Sequence, residues 1–284
     1  MLTSNGFVLD ERPERLGQLV ATPDSELPDR DRLWDRLRRQ GYLYLPGLLD
    51  PDEVTSFRRY YFDTLAPSGL VREGSDPVDG FVGEEPDRAR LRSILFGSIV
   101  PGPEYQAFCT QPAIRDWFGW FLGDEVHLHR RKILRHTRPQ ETGIGTATQA
   151  HYDLLYLRGG TDRVLSLWVP LGDVPPARGG LCYLEASHRP VLAEEAAAAA
   201  ANIRPARAMT PDLPGLAEQY DSRWLVNDYR AGDVVVHSAH LIHAALDNVD
   251  PEGRIRLSTD IRYQRVSDPI DWRWDNHWHI EDGL

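Results

Sequence analysis

Hydrophobic positions recur at helical spacing in the first third of the chain. Within residues 29–40 (DRDRLWDRLRRQ) the apolar side chains form one stripe, and Gly41 follows where a helix end favours a residue that can turn left-handed. The sequence DPDE at residues 50–53 combines an N-cap, a proline at the first helical position and a capping-box acid. The pattern predicts three helices and one short strand, with helices over residues 29–40, 51 to about 65 and 111–122, and the strand over 42–45.

From residue 126 onward the apolar positions come in short runs rich in β-branched and aromatic residues, separated by Gly-Gly and Pro. This spacing predicts antiparallel strands arranged as a sandwich or barrel. An alanine-rich run followed by prolines predicts a helical insertion at about residues 190–222. The runs that predict strands are residues 126–136, 149–157, 163–171, 181–184, 233–237, 241–246 and 255–264.

The chain shows no internal repeat, and its first third lacks the patterning of a separate domain. We therefore expect one domain over residues 1–284, mostly β with flanking helices. The composition of residues 68–87, rich in Gly, Pro and acids, predicts a long loop at the surface or over a site.

Three tryptophans near the C-terminus are expected to be buried. They could cap the barrel, line a substrate entrance or form a contact between subunits of an oligomer. The expected parts are a helix-rich segment (1–125), a β core (126–266) and a Trp-rich tail (267–284).

Composition indicates a soluble globular protein, since 41% of residues are hydrophobic and 26% charged. The 43 acidic and 32 basic side chains give a net charge of −11, which disfavours nucleic acid as a partner. Cys109 and Cys182 are too few for a disulfide framework and suit a reducing compartment. No apolar stretch approaches the roughly 18 residues of a membrane span. We expect a cytoplasmic protein that does not bind membranes.

The candidate metal ligands are histidines and one aspartate in two strand-like runs. His151 and Asp153, two apart, would project from the same face of a strand. A second run after a Gly-Asp turn carries His237, His240 and His243. Two histidines and one carboxylate form the facial triad that binds Fe(II) and leaves three positions open. Spacing alone leaves open which of the three later histidines completes the triad. Zinc would accept the same ligands, but no motif supplies the extra acid or base of a zinc hydrolase.

Five segments, in this order, resemble the phytanoyl-CoA dioxygenase family of Fe(II)/2-oxoglutarate oxygenases. The resemblance implies a jelly-roll core, also called a double-stranded β-helix and similar to the cupins. It also implies Fe(II) as cofactor, with 2-oxoglutarate and O2 as co-substrates. The segments are GYLYLPGLLDPDEV from residue 41, HYD at 151–153, LWVPLGDVPPARGGLCYLEASH at 167–188, GDVVVHSAHLIHAALDN at 232–248 and RLSTDIRY at 256–263.

The resemblance assigns iron ligation to His151, Asp153 and His243, because the distal histidine of the family follows the Gly-Asp turn by about ten residues. His237 and His240 are then not ligands. Related halogenases replace the ligating carboxylate with a small residue. Because Asp153 is present, halogenation is not expected.

The resemblance also implies an arginine on a later strand that binds the far carboxylate of 2-oxoglutarate. Arg256 is our choice, since a guanidinium suits bidentate carboxylate binding. Arg254 has the same strand parity and competes with it, and Ser258 would add a hydroxyl on the same face. The remaining expected contacts of the co-substrate are Trp168, Thr148 and Lys132. The expected contacts of the substrate are Tyr152, Tyr156 and Arg158.

The resemblance implies oxidation of a small molecule, and bacterial members of the family often hydroxylate amino acids, antibiotic intermediates or aminoglycosides. Desaturation, epimerisation and ring closure use the same cofactor chemistry. The net negative charge favours a cationic or polyhydroxylated substrate over an acyl-CoA. Residues 68–87 and 190–222 are candidate lids. Two further hypotheses are a non-catalytic binding protein on the same scaffold and a nucleic-acid repair enzyme, which would need a basic groove built around residues 129–135.

Overall fold

The computed structural model describes residues 1–141, 143–201 and 209–279. Its helices are α1 (Arg30–Gln40), α2 (Pro51–Leu65), α3 (Arg88–Ile94), α4 (Pro103–Cys109), α5 (Pro112–Leu122), α6 (His188–Ala200) and α7 (Leu213–Gln219). Its strands are β1 (Thr3–Ser4), β2 (Phe7–Val8), β3 (Leu16–Gln18), β4 (Tyr42–Leu45), β5 (Val126–Leu128), β6 (Ile133–Thr137), β7 (Leu165–Pro170), β8 (Leu181–Leu184), β9 (Trp224–Val226), β10 (Val234–Ser238), β11 (His243–Ala245) and β12 (Arg256–Arg265).

Two sheets form the β core. The larger has the order β4-β10-β7-β12-β5, with β6 also paired to β12, and the smaller has the order β11-β8-β9-β3. All of these pairs are antiparallel except that of β3 with β9. Trp168 and Val235 of the larger sheet share a buried cluster with Tyr183 and Leu225 of the smaller. The two sheets therefore enclose a common interior, which confirms the predicted β core.

The outer face of the larger sheet is covered by helices. Along β10, Val234 and Val236 point into a cluster with the apolar faces of α1, α2 and α5, whereas Val235 points between the sheets. This alternation follows from the period of two in a strand and explains why β10 is apolar on both faces. No helix in the described ranges is long and apolar enough to cross a bilayer.

The strand predicted over residues 149–157 is wrong. Ala150 and His151 form only isolated bridges, and a 3-10 helix spans Asp153–Leu155. The run at residues 126–136 is two strands rather than one, since β5 and β6 are separated by a turn. Helices α3 and α4 and strands β3 and β9 were not predicted, because their segments are too short to show a period.

The segment predicted as a helical insertion contains α6 and α7. Residues 202–208 of this insertion and residues 280–284 of the tail lie outside the described residues. The predicted loop at 68–87 holds a short 3-10 helix, Pro77–Asp79, and a backbone bridge between Val71 and Val82.

Gly41 ends α1 in a left-handed conformation, with φ of 81°, and its N–H donates to Leu37 O. A Cβ there would lie 2.6 Å from Nδ1 of His188. We expect Gly41→Ala to lower the free energy of unfolding by about 1–3 kcal/mol, from backbone strain and this contact. Urea denaturation measures the change. Gly119→Ala, in the open middle of α5, is the control and should be neutral or stabilising. Equal losses in both variants would contradict the assignment.

Candidate metal centre and cavity

Two histidines and one aspartate meet between the sheets. The backbone N–H of His151 donates to His243 O at 3.0 Å, and that of His243 donates to His151 O at 2.9 Å. The two imidazole centroids are 4.3 Å apart. One ligand atom each from His151, Asp153 and His243 lies within 4.8 Å of the other two. The structure thus brings together the three residues that the family resemblance assigns to iron.

Each histidine is oriented by a hydrogen bond on the side away from this cluster. Nδ1 of His151 lies 2.8 Å from Gln149 O, and Nδ1 of His243 lies 3.0 Å from Leu241 O. A carbonyl only accepts, so Nδ1 carries the proton and Nε2 keeps its lone pair for a metal. Burial lowers the pKa of both histidines, which favours the neutral imidazole. Two imidazole nitrogens and one carboxylate oxygen are a donor set that fits Fe(II).

The carboxylate of Asp153 is held by a row of three residues on adjacent strands. Ser166 lies opposite both His237 and Arg262 in the strand register. The Ser166 hydroxyl donates to Oδ2, and Nη2 of Arg262 donates to Oδ1 at 2.8 Å. Burial alone would raise the pKa of Asp153, but Arg262 and the neighbouring histidines lower it well below its usual value. Asp153 is therefore an oriented anion at neutral pH.

We expect Ser166→Ala to weaken Fe(II) binding roughly tenfold, at the low end of what outer-shell partners of a metal ligand contribute. The reason is that Oδ2 of Asp153 loses its hydroxyl donor. Anaerobic Fe(II) titration measures the affinity. The control is Ser238→Ala on β10, because the Ser238 hydroxyl has no hydrogen-bond partner in the described part of the chain. Unchanged affinity in the Ser166 variant would show that the hydroxyl does not orient the carboxylate.

The other two histidines of the second run lie in different surroundings. His237 is fully buried, with Nε2 3.3 Å from Oδ2 of Asp153, so it lies behind the carboxylate. Nε2 of His240 faces the carboxylate of Asp162 at 3.9 Å. Neither belongs to the cluster of candidate ligands that the structure forms in its described part.

A cavity of about 690 Å³ opens beside the candidate ligands. His151 and His243 lie in its wall, with β6 and β12 supplying one side. The polar groups of that side include Arg135, Arg256, Asp260 and Arg262. The remaining wall residues are Leu95, Ile133, Leu134, His136, Thr137, Glu141, Gly145, Thr146, Ala147, Thr148, Gln149, Tyr156, Leu181, Trp274 and Trp278.

The side chains of Arg256 and Arg254, the two candidates for binding 2-oxoglutarate, lie in different surroundings. Arg256 is 2% exposed and faces the cavity. Its guanidinium donates to the hydroxyls of Ser258 and Thr137, both at 2.8 Å, and its Nε has no hydrogen-bond partner among the described residues. Burial lowers its pKa to about 10, which still leaves it cationic. Arg254 instead pairs with Glu252 at 2.8 Å and lies over the ring of Phe81. A buried cation with only neutral partners indicates a site for an anion.

Of the four other residues expected to contact the co-substrate, two lie at the cavity or beside Arg256 and two lie elsewhere. Thr148 lies in the cavity wall, and Ser258 accepts from Arg256. Trp168 does not line the cavity, because it packs against Tyr229 in the core between the sheets, with ring centroids 4.6 Å apart. Lys132 does not line the cavity either, contrary to the expectation from the sequence. Its ammonium is buried outside the cavity, where it donates to Gln106 Oε1 at 2.7 Å.

Two of the three residues expected to contact the substrate point away from the cavity. The Tyr152 hydroxyl donates to Glu195 on α6, and Arg158 binds the same carboxylate through two hydrogen bonds of 2.7 and 2.6 Å. These contacts attach the ligand-bearing segment to α6. Tyr156 does lie in the wall, with its ring 5.6 Å from that of His151.

Part of the cavity wall comes from the Trp-rich tail and not from the two segments that were expected to act as lids. Trp274 and Trp278 are buried wall residues, whereas Trp272 is 64% exposed. No described residue of 68–87 or 190–222 lines the cavity. Sequence reasoning missed Arg135, Arg262 and Asp260, although their parity along β6 and β12, counted from Arg256, would place them on one face.

A β core that holds two histidines and one aspartate beside a cavity with a buried arginine defines a 2-oxoglutarate-dependent non-haem iron dioxygenase. A family model described as "Phytanoyl-CoA dioxygenase (PhyH)" matches residues 37–255. The chain belongs to this family, as its sequence segments predict.

Characterised relatives are enzymes of small-molecule metabolism. An ectoine dioxygenase of Stutzerimonas stutzeri is 26% identical over 256 residues, covering 86% of this chain and 80% of the relative. A 1-deoxypentalenic acid 11-beta-hydroxylase of Streptomyces arenae is 24% identical and covers 85% and 83%. Among solved structures, the epimerase SnoN in complex with Fe3+, alpha ketoglutarate and nogalamycin RO has a TM-score of 0.57 at 25% identity, covering 86% of each chain. The jelly-roll fold and the assignment to the 2-oxoglutarate-dependent oxygenases are thereby confirmed.

Proposed function

We propose that the protein hydroxylates a small metabolite, with Fe(II) held by His151, Asp153 and His243 and the far carboxylate of 2-oxoglutarate held by Arg256. The observation that carries the proposal is the cluster of three ligand atoms beside a cavity in which the buried guanidinium of Arg256 forms no ion pair with a described residue. Bound iron, 2-oxoglutarate and oxygen supply an oxidant able to remove hydrogen from a C–H bond. The setting we propose is bacterial secondary metabolism, such as the biosynthesis of an antibiotic.

The residues of this chain then have defined tasks. Gln149 O and Leu241 O fix the two imidazoles, and Arg262 keeps Asp153 anionic and oriented. The rings of Trp274 and Trp278 close one side of the cavity against water. Such walls hold the carbon to be oxidised near the metal and limit side reactions.

Epimerisation is the second candidate reaction, favoured by the similarity to SnoN. Both reactions would use the same ligands and differ in how the substrate is held. Product analysis with a known substrate would separate them, because hydroxylation adds an oxygen atom and epimerisation leaves the mass unchanged.

The nucleic-acid hypothesis would need the basic residues at 129–135 to share one exposed surface, and their side chains lie in different surroundings. His129 is buried and bonded to Gln264, Lys132 is buried against Gln106, and Arg135 faces the cavity. Arg130 is exposed but lies 3.7 Å from Asp275. The cluster of basic residues in the sequence therefore does not form a continuous basic surface.

The test adds Fe(II) and 2-oxoglutarate to the purified protein without oxygen. We expect a visible metal-to-ligand absorption band, and after oxygen is admitted, succinate. A non-catalytic binding protein would give neither signal, and a zinc enzyme would give no band. Absence of the band at saturating Fe(II) and 2-oxoglutarate would overturn the proposal.

A further inference from the structure

One guanidinium in the cavity has no task in the proposed reaction. Arg135 lies on β6 opposite Ser258 of β12, and its side chain lines the cavity. Among the described residues its guanidinium makes no hydrogen bond and no ion pair. It is partly enclosed, and burial lowers its pKa while Asp260 acts in the opposite direction. A desolvated cation of this kind is stabilised by an anion.

The other charges of the cavity are already matched. Arg262 pairs with Asp153 at 2.8 Å, and Arg256 is the proposed partner of 2-oxoglutarate. The carboxyl group of Asp260 is the remaining acid in this part of the wall, and it forms no ion pair with Arg135 within 4.0 Å among the described residues. Burial raises the pKa of Asp260, which further weakens it as a counter-ion. Arg135 thus leaves one positive charge in the cavity to be neutralised by a ligand.

The wall near the tail has a different chemistry. Trp274, Trp278 and Leu95 are buried apolar residues that line the same cavity as Arg135. The ring of Trp278 is held by Phe96, with centroids 4.9 Å apart, and that of Trp274 lies over the guanidinium of Arg262 at 5.0 Å. Fixed rings form an apolar surface suited to a compact hydrocarbon body.

We propose that the substrate is a small acid, with its carboxylate bound by Arg135 and its apolar body packed against Trp274 and Trp278. The inference rests on the proposed function and adds the class of substrate. A planar guanidinium binds a carboxylate through two parallel hydrogen bonds, which fixes orientation as well as position. A carboxylate at Arg135 and an apolar body against the tail would span the cavity past His151 and His243, which lie in the same wall.

The test measures binding of a matched pair of probes, adamantane-1-carboxylate and the uncharged adamantane-1-carboxamide. The full chain is loaded with Fe(II) and saturating 2-oxoglutarate without oxygen, so that Arg256 is occupied, and dissociation constants are measured by calorimetry. We expect the acid to bind roughly tenfold more tightly than the amide, as for a charge-assisted hydrogen bond. Arg135→Gln should bring this ratio close to one, and Arg135→Lys should retain part of it.

Arg130→Gln, in the connection between β5 and β6 with a side chain 56% exposed, is the control and should keep the full ratio. All variants must show the band with Fe(II) and 2-oxoglutarate, which reports the proposed function and correct folding separately from the inference. If the band forms but the wild type binds acid and amide equally, or binds neither, the inference is wrong and the proposed function stands. A lost band in Arg135→Gln and Arg135→Lys alike would place Arg135 at the co-substrate instead and overturn the inference.

Discussion

A His243→Ala variant is expected to show no absorption band with Fe(II) and 2-oxoglutarate and to form succinate at least about 100-fold more slowly than the wild type. The loss should exceed the roughly 10–100-fold effects of outer-shell changes, because one of three protein ligands is removed. The remaining pair, His151 and Asp153, lies on one short segment, and two ligands from one side do not enclose an ion. Spectroscopic titration and a succinate assay measure the two effects.

His240→Ala is the matched control, taken from the same run of histidines. Its imidazole faces Asp162 rather than the candidate ligands, so the band should persist. Circular dichroism of both variants separates ligand loss from unfolding. A band of normal intensity in His243→Ala would remove this residue from the metal site.

An Arg256→Gln variant is expected to raise the KM for 2-oxoglutarate at least about 30-fold, since loss of one member of a buried charge pair costs roughly 2 kcal/mol or more. The amide cannot replace a guanidinium that is cationic at neutral pH and already oriented by Ser258 and Thr137. Iron binding without 2-oxoglutarate should be unchanged, because Arg256 is not one of the clustered ligands. Initial rates at varied 2-oxoglutarate measure the change.

Arg254→Gln is the control for charge and strand position. Its side chain pairs with Glu252 and stacks on Phe81 away from the cavity, so the KM should stay near the wild-type value. A large rise in the Arg254 variant with none in the Arg256 variant would reverse the assignment.

The sequence predicts the helices with clear caps and the strands with long apolar runs. Asp29 and Gly41 bound α1 as the pattern indicates, and β8 covers the predicted residues. The HYD segment is different, because its alternation resembles a strand while Asp153 begins a 3-10 helix. His151 and Asp153 still converge, since the segment is anchored by backbone hydrogen bonds to His243. Those bonds join residues far apart in sequence, which a local pattern does not show.

The character of the cavity was also beyond sequence reasoning. The net charge of −11 favours a cationic or polyhydroxylated substrate, yet the described wall carries three arginines, Arg135, Arg256 and Arg262. Its acids are Asp260 and Glu141, and Glu141 pairs with Arg138. Net charge describes the field around a protein, whereas binding depends on the few groups that line a site. The wall tryptophans come from the tail, whose position no periodic pattern fixes.

The reciprocal backbone hydrogen bonds between His151 and His243 hold the two imidazoles in place through the peptide chain itself. We therefore expect the two imidazoles to stay in position without the ion, so that little conformational entropy is lost when iron binds. Chelation should yield a folded, reloadable apoprotein, in contrast to zinc-finger domains, which unfold when the metal leaves. Selection among divalent ions then falls to their supply in the cell and to the keto acid that binds with them, more than to folding around the ion.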